Sequence, residues 1–415
     1  MPTHGQPKSA SRLLVHLGLL VAVGCGASQP SDSSSRALDR PHLDDDVRFG
    51  FTVAASERHI AVAAPHAASA GHPSAGTVFV FDRHTLTLVS TVAAPDPADD
   101  AVFGYAIALD ADRLLVGAPR MTVDGKTLAG AAYLFDAASG RFLRRLTAVP
   151  PQANDELGSS VGLHGDDAVV GAPGSAVLDH AHAGIVHLFD VVSGTVRRSL
   201  HLPEPVSSMV LGQSLAVAGD AVLVGAPVAT SGGFEQAGSV FVFDVATGGL
   251  RATLREPTPG AMNQMGTALA GDGVTAVVGA PNATVGGRKR AGAAYVFDLA
   301  TGAVQHSLQD AANPADGELF GYAVALFEKV VIVGAPHAPA QDTASAGAVY
   351  VFDRATGRLL ARLTEPRPST GADFGLAVTG TRDDIVVGAQ NGRGASGRGA
   401  TYAFPTPVEQ RPSVP

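Results

Sequence analysis

Phe320-Gly321-Tyr322-Ala323-Val324-Ala325, then Val330-Val331-Ile332-Val333-Gly334-Ala335-Pro336, then Ala346-Gly347-Ala348-Val349-Tyr350-Val351-Phe352-Asp353 make up one unit of a pattern that runs through most of the chain. The run from Val330 to Val333 is β-branched and continuously apolar, as a strand covered on both faces must be. Between Ala348 and Phe352 the two rings stand two residues apart and therefore share one face of a strand. Asp353-Arg354-Ala355-Thr356-Gly357 reads as a turn in which Asp bonds the backbone beside it and Gly takes positive φ. Leu359 to Leu363 supplies a fourth apolar piece. Strands are expected at 320–326, 330–334, 348–352 and 359–363.

The same markers recur in phase. Phe-Gly, or an apolar variant of it, places its glycine at Gly50, Gly104, Gly158, Gly212, Gly266, Gly321 and Gly375. Val-Gly-Ala-Pro or a close copy ends at Pro65, Pro119, Pro173, Pro227, Pro281, Pro336 and Gln390. A third marker ends at Asp82, Asp136, Asp190, Asp244, Asp298 and Asp353, and decays to Tyr402-Ala403-Phe404 in the last copy. Seven copies of four short strands predict an all-β, seven-bladed β-propeller of four-stranded antiparallel blades. A helical solenoid would need a 3.6-residue period, and the rungs of a parallel β-helix are usually shorter than this repeat.

The seam fits closure. The seventh repeat ends at Phe404 without a fourth strand, while Pro41 lies eight residues before Phe49, as Pro95 does before Phe103. The segment from Arg36 to Pro41 is therefore expected to supply the missing strand and close the ring, which removes an exposed edge. The domain plan is 1–24 signal peptide, 25–35 tether, 36–404 propeller and 405–415 Pro-rich tail.

Phe103-Gly104 with Gly117-Ala118-Pro119, and Phe320-Gly321 with Gly334-Ala335-Pro336, resemble the FG-GAP repeat of integrin α-subunit propellers and their bacterial relatives. The resemblance covers residues 49–404. It implies the fold, and it implies a scaffold whose activity resides in loops. Many members of that family bind Ca²⁺ between the first two strands of a blade through an Asp-rich run. Here the matching loops, such as Asp110-Ala111-Asp112-Arg113 and Phe327-Glu328-Lys329, offer too few oxygens for such a shell. The family's calcium ligands do not carry over, and no cofactor is expected.

Several motifs compete with this reading. Gly158-Ser159-Ser160-Val161-Gly162 satisfies the nucleophile-elbow pattern, yet it occupies the slot that reads Gly104-Tyr105-Ala106-Ile107-Ala108 in the preceding copy, with no strand-to-helix turn. Gly392-Arg393-Gly394-Ala395-Ser396-Gly397 matches a dinucleotide fingerprint without the helix that must follow it. Asp179, His180 and His182 are weak metal-ligand candidates in a long loop of the third repeat. The absence of convergent acids, bases or ligands argues against an enzyme. Asp353 to Gly357 and the residues before them look like part of a quinone-enzyme repeat, but the chain has no tryptophan.

Acidic residues gather before the Phe-Gly marker: Asp45 and Asp46, Asp99 and Asp100, Asp155 and Glu156, Asp316 and Glu318, and Asp373. Equivalent loops lie on one rim, so an acidic arc is expected over five blades, with a neutral gap around Met209 and Met262. It would steer a basic partner or leave the gap for an apolar one.

Composition and the N-terminus complete the picture. A net charge of -9, with no extended basic stretch, disfavours nucleic acid. Lys8 and Arg12 precede an apolar run over residues 13–24, the size of a signal-peptide core and too short to span a bilayer. Ala22-Val23-Gly24-Cys25 resembles a bacterial lipobox, with Ala22 where Leu is usual, and it ends at the chain's single cysteine. The polar, Ser-rich stretch that follows suits a tether. The expectation is a monomeric propeller of the bacterial envelope, lipidated at Cys25 or otherwise secreted, meeting the membrane only through that lipid. It binds an unidentified protein or glycan through rim loops. The alternatives are a purely structural envelope component, or a propeller hydrolase or quinone-dependent enzyme.

Overall fold

Seven antiparallel sheets of four strands surround an axis, six of them each formed by a single repeat. The computed structural model describes residues 35–39, 47–310, 314–392 and 399–407. Cys25 with the apolar run before it, Asp45 and Asp46, residues 393–397 and the tail beyond residue 407 lie outside the described residues. Blade two is built from Ala106–Asp110, Arg113–Ala118, Ala131–Asp136 and Phe142–Leu146; blade three from Ser160–His164, Asp167–Ala172, Ile185–Asp190 and Val196–Leu200. First strands of neighbouring blades touch all the way round, blade seven against blade one included, so they line the axis.

Burial follows the sequence pattern. Second strands such as Val330–Ala335 and third strands such as Ala348–Asp353 are buried along their whole length. In the first six blades the fourth strands are largely exposed or half-buried and end on a buried residue, as Leu88–Val92 does at Val92.

The ring closes as the sequence predicts. Arg36–Ala37 pairs antiparallel with Ala400–Pro405, in the register Arg36 to Ala403 and Ala37 to Tyr402. Leu38 N–H donates to the Thr401 carbonyl at 3.0 Å, and the Arg36 guanidinium grips the Asp384 carboxylate at 2.8 and 2.9 Å. Blade seven is thus completed by residues from the opposite end of the chain.

The expected first strand of blade six begins late, at Ala323 rather than Phe320. Phe320 serves the preceding blade instead. Its N–H donates to the Ala291 carbonyl at 3.0 Å, and Gly321 then turns with φ +88. This explains both glycine markers. A Cβ on Gly334 would sit 2.0 Å from the carbonyl oxygen of Gly375 in the next blade, and one on Gly117 would sit 2.0 Å from that of Gly158. The second strand of one blade and the Phe-Gly turn of the next meet backbone to backbone. Blade one has Ala63 in this position, lying against the place where a Cβ on Gly104 would stand.

The Asp turn also forms as read. Asp353 Oδ1 accepts from Thr356 N–H at 2.8 Å and Thr356 Oγ1–H at 2.6 Å, and Gly357 has φ +67. The same hydrogen bonds hold Asp353 below its usual carboxylate range.

Candidate functional site

Strand direction places the connections between second and third strands, and those between successive blades, on one face of the ring. Among the described residues this Phe-Gly face carries six turns of one design. Ser69 pairs with His72, Val123 with Lys126, Val177 with His180, Ser231 with Phe234, Val285 with Arg288 and Ala340 with Thr343. Both central residues of each turn have positive φ, for example Asp124 at 50° and Gly125 at 75°, or Leu178 at 48° and Asp179 at 68°. That is the type I′ geometry, which Gly and Asn-like residues favour. One backbone thus displays different tips, with His72, Lys126, His180, Phe234, Arg288 and Thr343 in equivalent places. The pairs Asp124-Gly125, Gly232-Gly233 and Gly286-Gly287 were the legible signal for it.

The acidic residues of the adjoining loops are distributed between surface and interior. Asp99 and Asp100 are exposed, and Asp99 Oδ1 lies 2.8 Å from His72 Nδ1. Asp316 is exposed and accepts from Lys289 N–H at 2.8 Å. Glu156 is half-buried. Asp155, Glu318 and Asp373 are buried. Asp155 accepts from Ser175 Oγ–H at 2.9 Å and from Gln152 N–H at 3.2 Å, and burial pushes its carboxyl up. Asp373 Oδ2 accepts from Gln390 Nε2–H and Asn391 Nδ2–H, each at 2.8 Å. Burial with nearby Asp310 pushes the pKa of Glu318 up to about 7, against the opposing pull of the Ala315 backbone N–H.

Over blades four and five the face changes character. Met262 is 60% and Phe234 44% exposed, and Arg288, Lys289 and Arg290 are exposed in the next turn. Sequence reading that followed one loop per blade missed this basic group, because it sits on the other set of connections. The signal was three consecutive cations.

Asp179 and His180 occupy the turn of blade three and His182 lies just beyond it, all exposed. Among the described residues no group of three or more His, Cys, Asp or Glu side chains comes together to hold a metal ion. The Ser160 hydroxyl donates to the Gly212 carbonyl of the next blade at 2.7 Å, a contact across the blade junction. On the axis, a cavity of about 280 Å³ draws its lining from every blade, Tyr105, Tyr322, Ser159 and Gln213 included. On the opposite face the first two strands of blade two are joined by Ala111 and Asp112 alone, since Asp110 pairs directly with Arg113.

A family model of the FG-GAP repeat matches residues 86–135, 141–189 and 310–352. The chain is a β-propeller that carries the FG-GAP repeat in these three stretches. The first match begins at the fourth strand of blade one and ends in the third strand of blade two, so the sequence unit of this FG-GAP propeller straddles a blade junction. No curated protein matches the FG-GAP propeller in sequence.

Proposed function

We propose that this FG-GAP propeller is a non-catalytic binding or scaffold module that takes a protein or glycan on its Phe-Gly face. The observation that carries the reading is the set of six type I′ turns: one repeated backbone offering imidazole, ammonium, phenyl, guanidinium and hydroxyl groups. A scaffold kept constant beneath variable tips is how recognition surfaces are built on rigid folds. The exposed Asp99 and Asp100 on one side and the Phe234, Met262 and Arg288 region on the other give the face two chemically different parts. Export and lipidation at Cys25 belong to the same proposal, supported by the apolar run, the lipobox-like residues and the polar tether. They place the module at the bacterial envelope.

The test is proximity labelling in intact cells, comparing the parent with a Phe234→Ser, Met262→Ser, Arg288→Ser variant whose melting temperature is checked first. A partner labelled by the parent and lost by the equally stable variant supports the reading. A partner retained by it overturns this placement of the site. Cys25→Ser in the same cells releases the protein from the membrane fraction if the anchor is correct; unchanged fractionation removes the anchor from the proposal.

A further inference from the structure

Four blades carry a tyrosine at the centre of the third strand, and each phenol reaches a carboxylate from the segment entering that blade. Tyr133 donates to Asp96 at 3.0 Å, Tyr295 to Glu256 at 2.5 Å, Tyr350 to Asp310 at 2.7 Å and Tyr402 to Glu365 at 2.8 Å. In blade two the slot is filled with rings. Phe103 lies 5.6 Å from Tyr133 and 5.8 Å from Phe135, and Phe142 packs on both Tyr133 and Phe135.

Blade three has the same backbone with the filling removed. Leu157 stands for Phe103, His187 for Tyr133 and Val196 for Phe142, while Ala148 occupies the position held by Glu256, Asp310 and Glu365 at later junctions. A cavity of about 590 Å³ opens there. That volume is in the range of small-molecule pockets, roughly 300 to 1,000 Å³. Its walls are Val149, Ile185 and Val196, and its polar lining includes His187, Ser175 and Asp155. Val149 is 85% exposed at its edge.

We propose that this hollow in blade three is a binding site for a small hydroxylated aromatic ring, a phenol, seated where aromatic side chains and a carboxylate fill blade two. His187 Nδ1 and Ser199 Oγ are 2.8 Å apart, which leaves Nε2 without a protein partner among the described residues. Burial holds the imidazole down to about 4, so at neutral pH it is uncharged, and in the tautomer whose Nδ1–H donates to Ser199 Oγ its Nε2 accepts a hydrogen bond. A phenol hydroxyl donates to it as Tyr133 donates to Asp96. The chemistry selects against anions. No lysine or arginine is among the lining residues, and the buried Asp155 carboxyl repels a ligand carboxylate. A neutral phenol is therefore favoured over an aromatic acid, and the apolar walls favour an aromatic ring over a sugar. The site is independent of the turns on the Phe-Gly face and does not rest on the function proposed for them.

The probe is p-cresol, the side chain of tyrosine as a free molecule, titrated calorimetrically into the full chain. Saturable one-site binding is expected, with toluene and benzoate each weaker by about tenfold or more, the loss of one buried hydrogen bond or the burial of an unpaired charge. His187→Tyr combined with Ala148→Glu rebuilds the internal pair and should abolish p-cresol binding. Val196→Phe supplies the ring of blade two by a smaller change and should weaken it at least about tenfold even if the double variant fails to fold. Ser199→Ala leaves the hollow open but frees Nδ1, and should shrink the preference for p-cresol over toluene. The proposal is overturned by absence of saturable binding, by toluene binding as tightly as p-cresol, or by binding unchanged in Val196→Phe.

Discussion

Blades two and three share strand order, register, blade junction and Asp turn, yet one is packed with aromatic rings and the other encloses a hollow. Their first and second strands pair with matching offsets, Ala106 to Gly117 and Ser160 to Gly171. What they hold in common is contact between backbones; what they do not share is contact between side chains. A carbonyl oxygen lying where a Cβ would stand allows only glycine, or a displaced junction, so these positions recur from copy to copy. A slot filled by side chains has many solutions. Blade four fills the equivalent space with Leu202, Leu211 and Phe241. The repeat therefore specifies a ring of seven blades without specifying the interior of each blade.

The largest effect comes from breaking what the two blades share. Gly117→Val and Gly171→Val would drive side chains into the Gly158 and Gly212 carbonyls, which lie 2.0 and 2.2 Å from the built Cβ positions. Each should cost upward of about 4 kcal/mol, among the most severe point changes. Calorimetric unfolding should show similar losses in both blades. A tolerated Gly171→Val would mean the hollow in blade three absorbs junction strain, and the two junctions would not be equivalent. Ala63 in blade one sets the scale, since a methyl is accommodated at the equivalent position there.

A smaller effect comes from converting one blade into the other. Phe103→Leu with Tyr133→His installs the residues of blade three in blade two, where Asp96 keeps Arg145 at 2.8 Å as an ion pair. Lost ring packing and the new cavity should cost about 3 kcal/mol, measured by denaturant titration. A cost below about 1 kcal/mol would show that the ring cluster adds little, and that the contrast between the blades is one of shape alone.

Legibility follows the same division. Glycine markers, the Asp turn and the closing strand were readable because each is a backbone requirement stated up to seven times. Pro41 in phase with Pro95 sufficed to place the N-terminal strand on the last blade. The inward orientation of Asp155 and Glu318 was readable in principle. The position two before the Phe-Gly marker holds Val47, Ala101, Asp155, Met209, Asn263, Glu318 and Ala372. Its apolar members mark it as interior, but grouping acids by proximity concealed that register. Leu178-Asp179 and Gln341-Asp342 do not look like type I′ pairs, so that turn was visible only from its glycine-containing copies. The hollow in blade three was not legible at all. It requires Ala148, His187 and Val196 to converge from three separate segments.

The smallest effect separates the blades by pH. His187 is held at about 4 by burial, below its ordinary 6.5, so the unfolded chain binds its proton more readily. Its neutral form supports the fold fully above about pH 6.5, and that support is lost as pH falls toward the folded value of about 4. Tyr133, in the same slot of blade two, is pushed further up by burial and Asp96 and does not titrate in this window. The acid sensitivity of the slot should therefore belong to blade three alone, and His187→Phe should flatten the decline in melting temperature between about pH 6.5 and 4. Glu318 acts in the opposite sense. Its pKa is raised from 4.5 to about 7 by burial and Asp310, so its contribution is complete below 4.5 and is lost as pH rises through 7. Glu318→Gln should raise the melting temperature at about pH 8 and leave it unchanged at about pH 4, while Tyr133→Phe changes neither slope. If His187→Phe left the acid limb as steep as in the parent, the imidazole would take up its proton at the same pH in the folded and unfolded chain, near about 6.5. The hollow would then lose its acceptor for a phenol in mildly acid solution, and burial of the ring would not distinguish it from an exposed histidine.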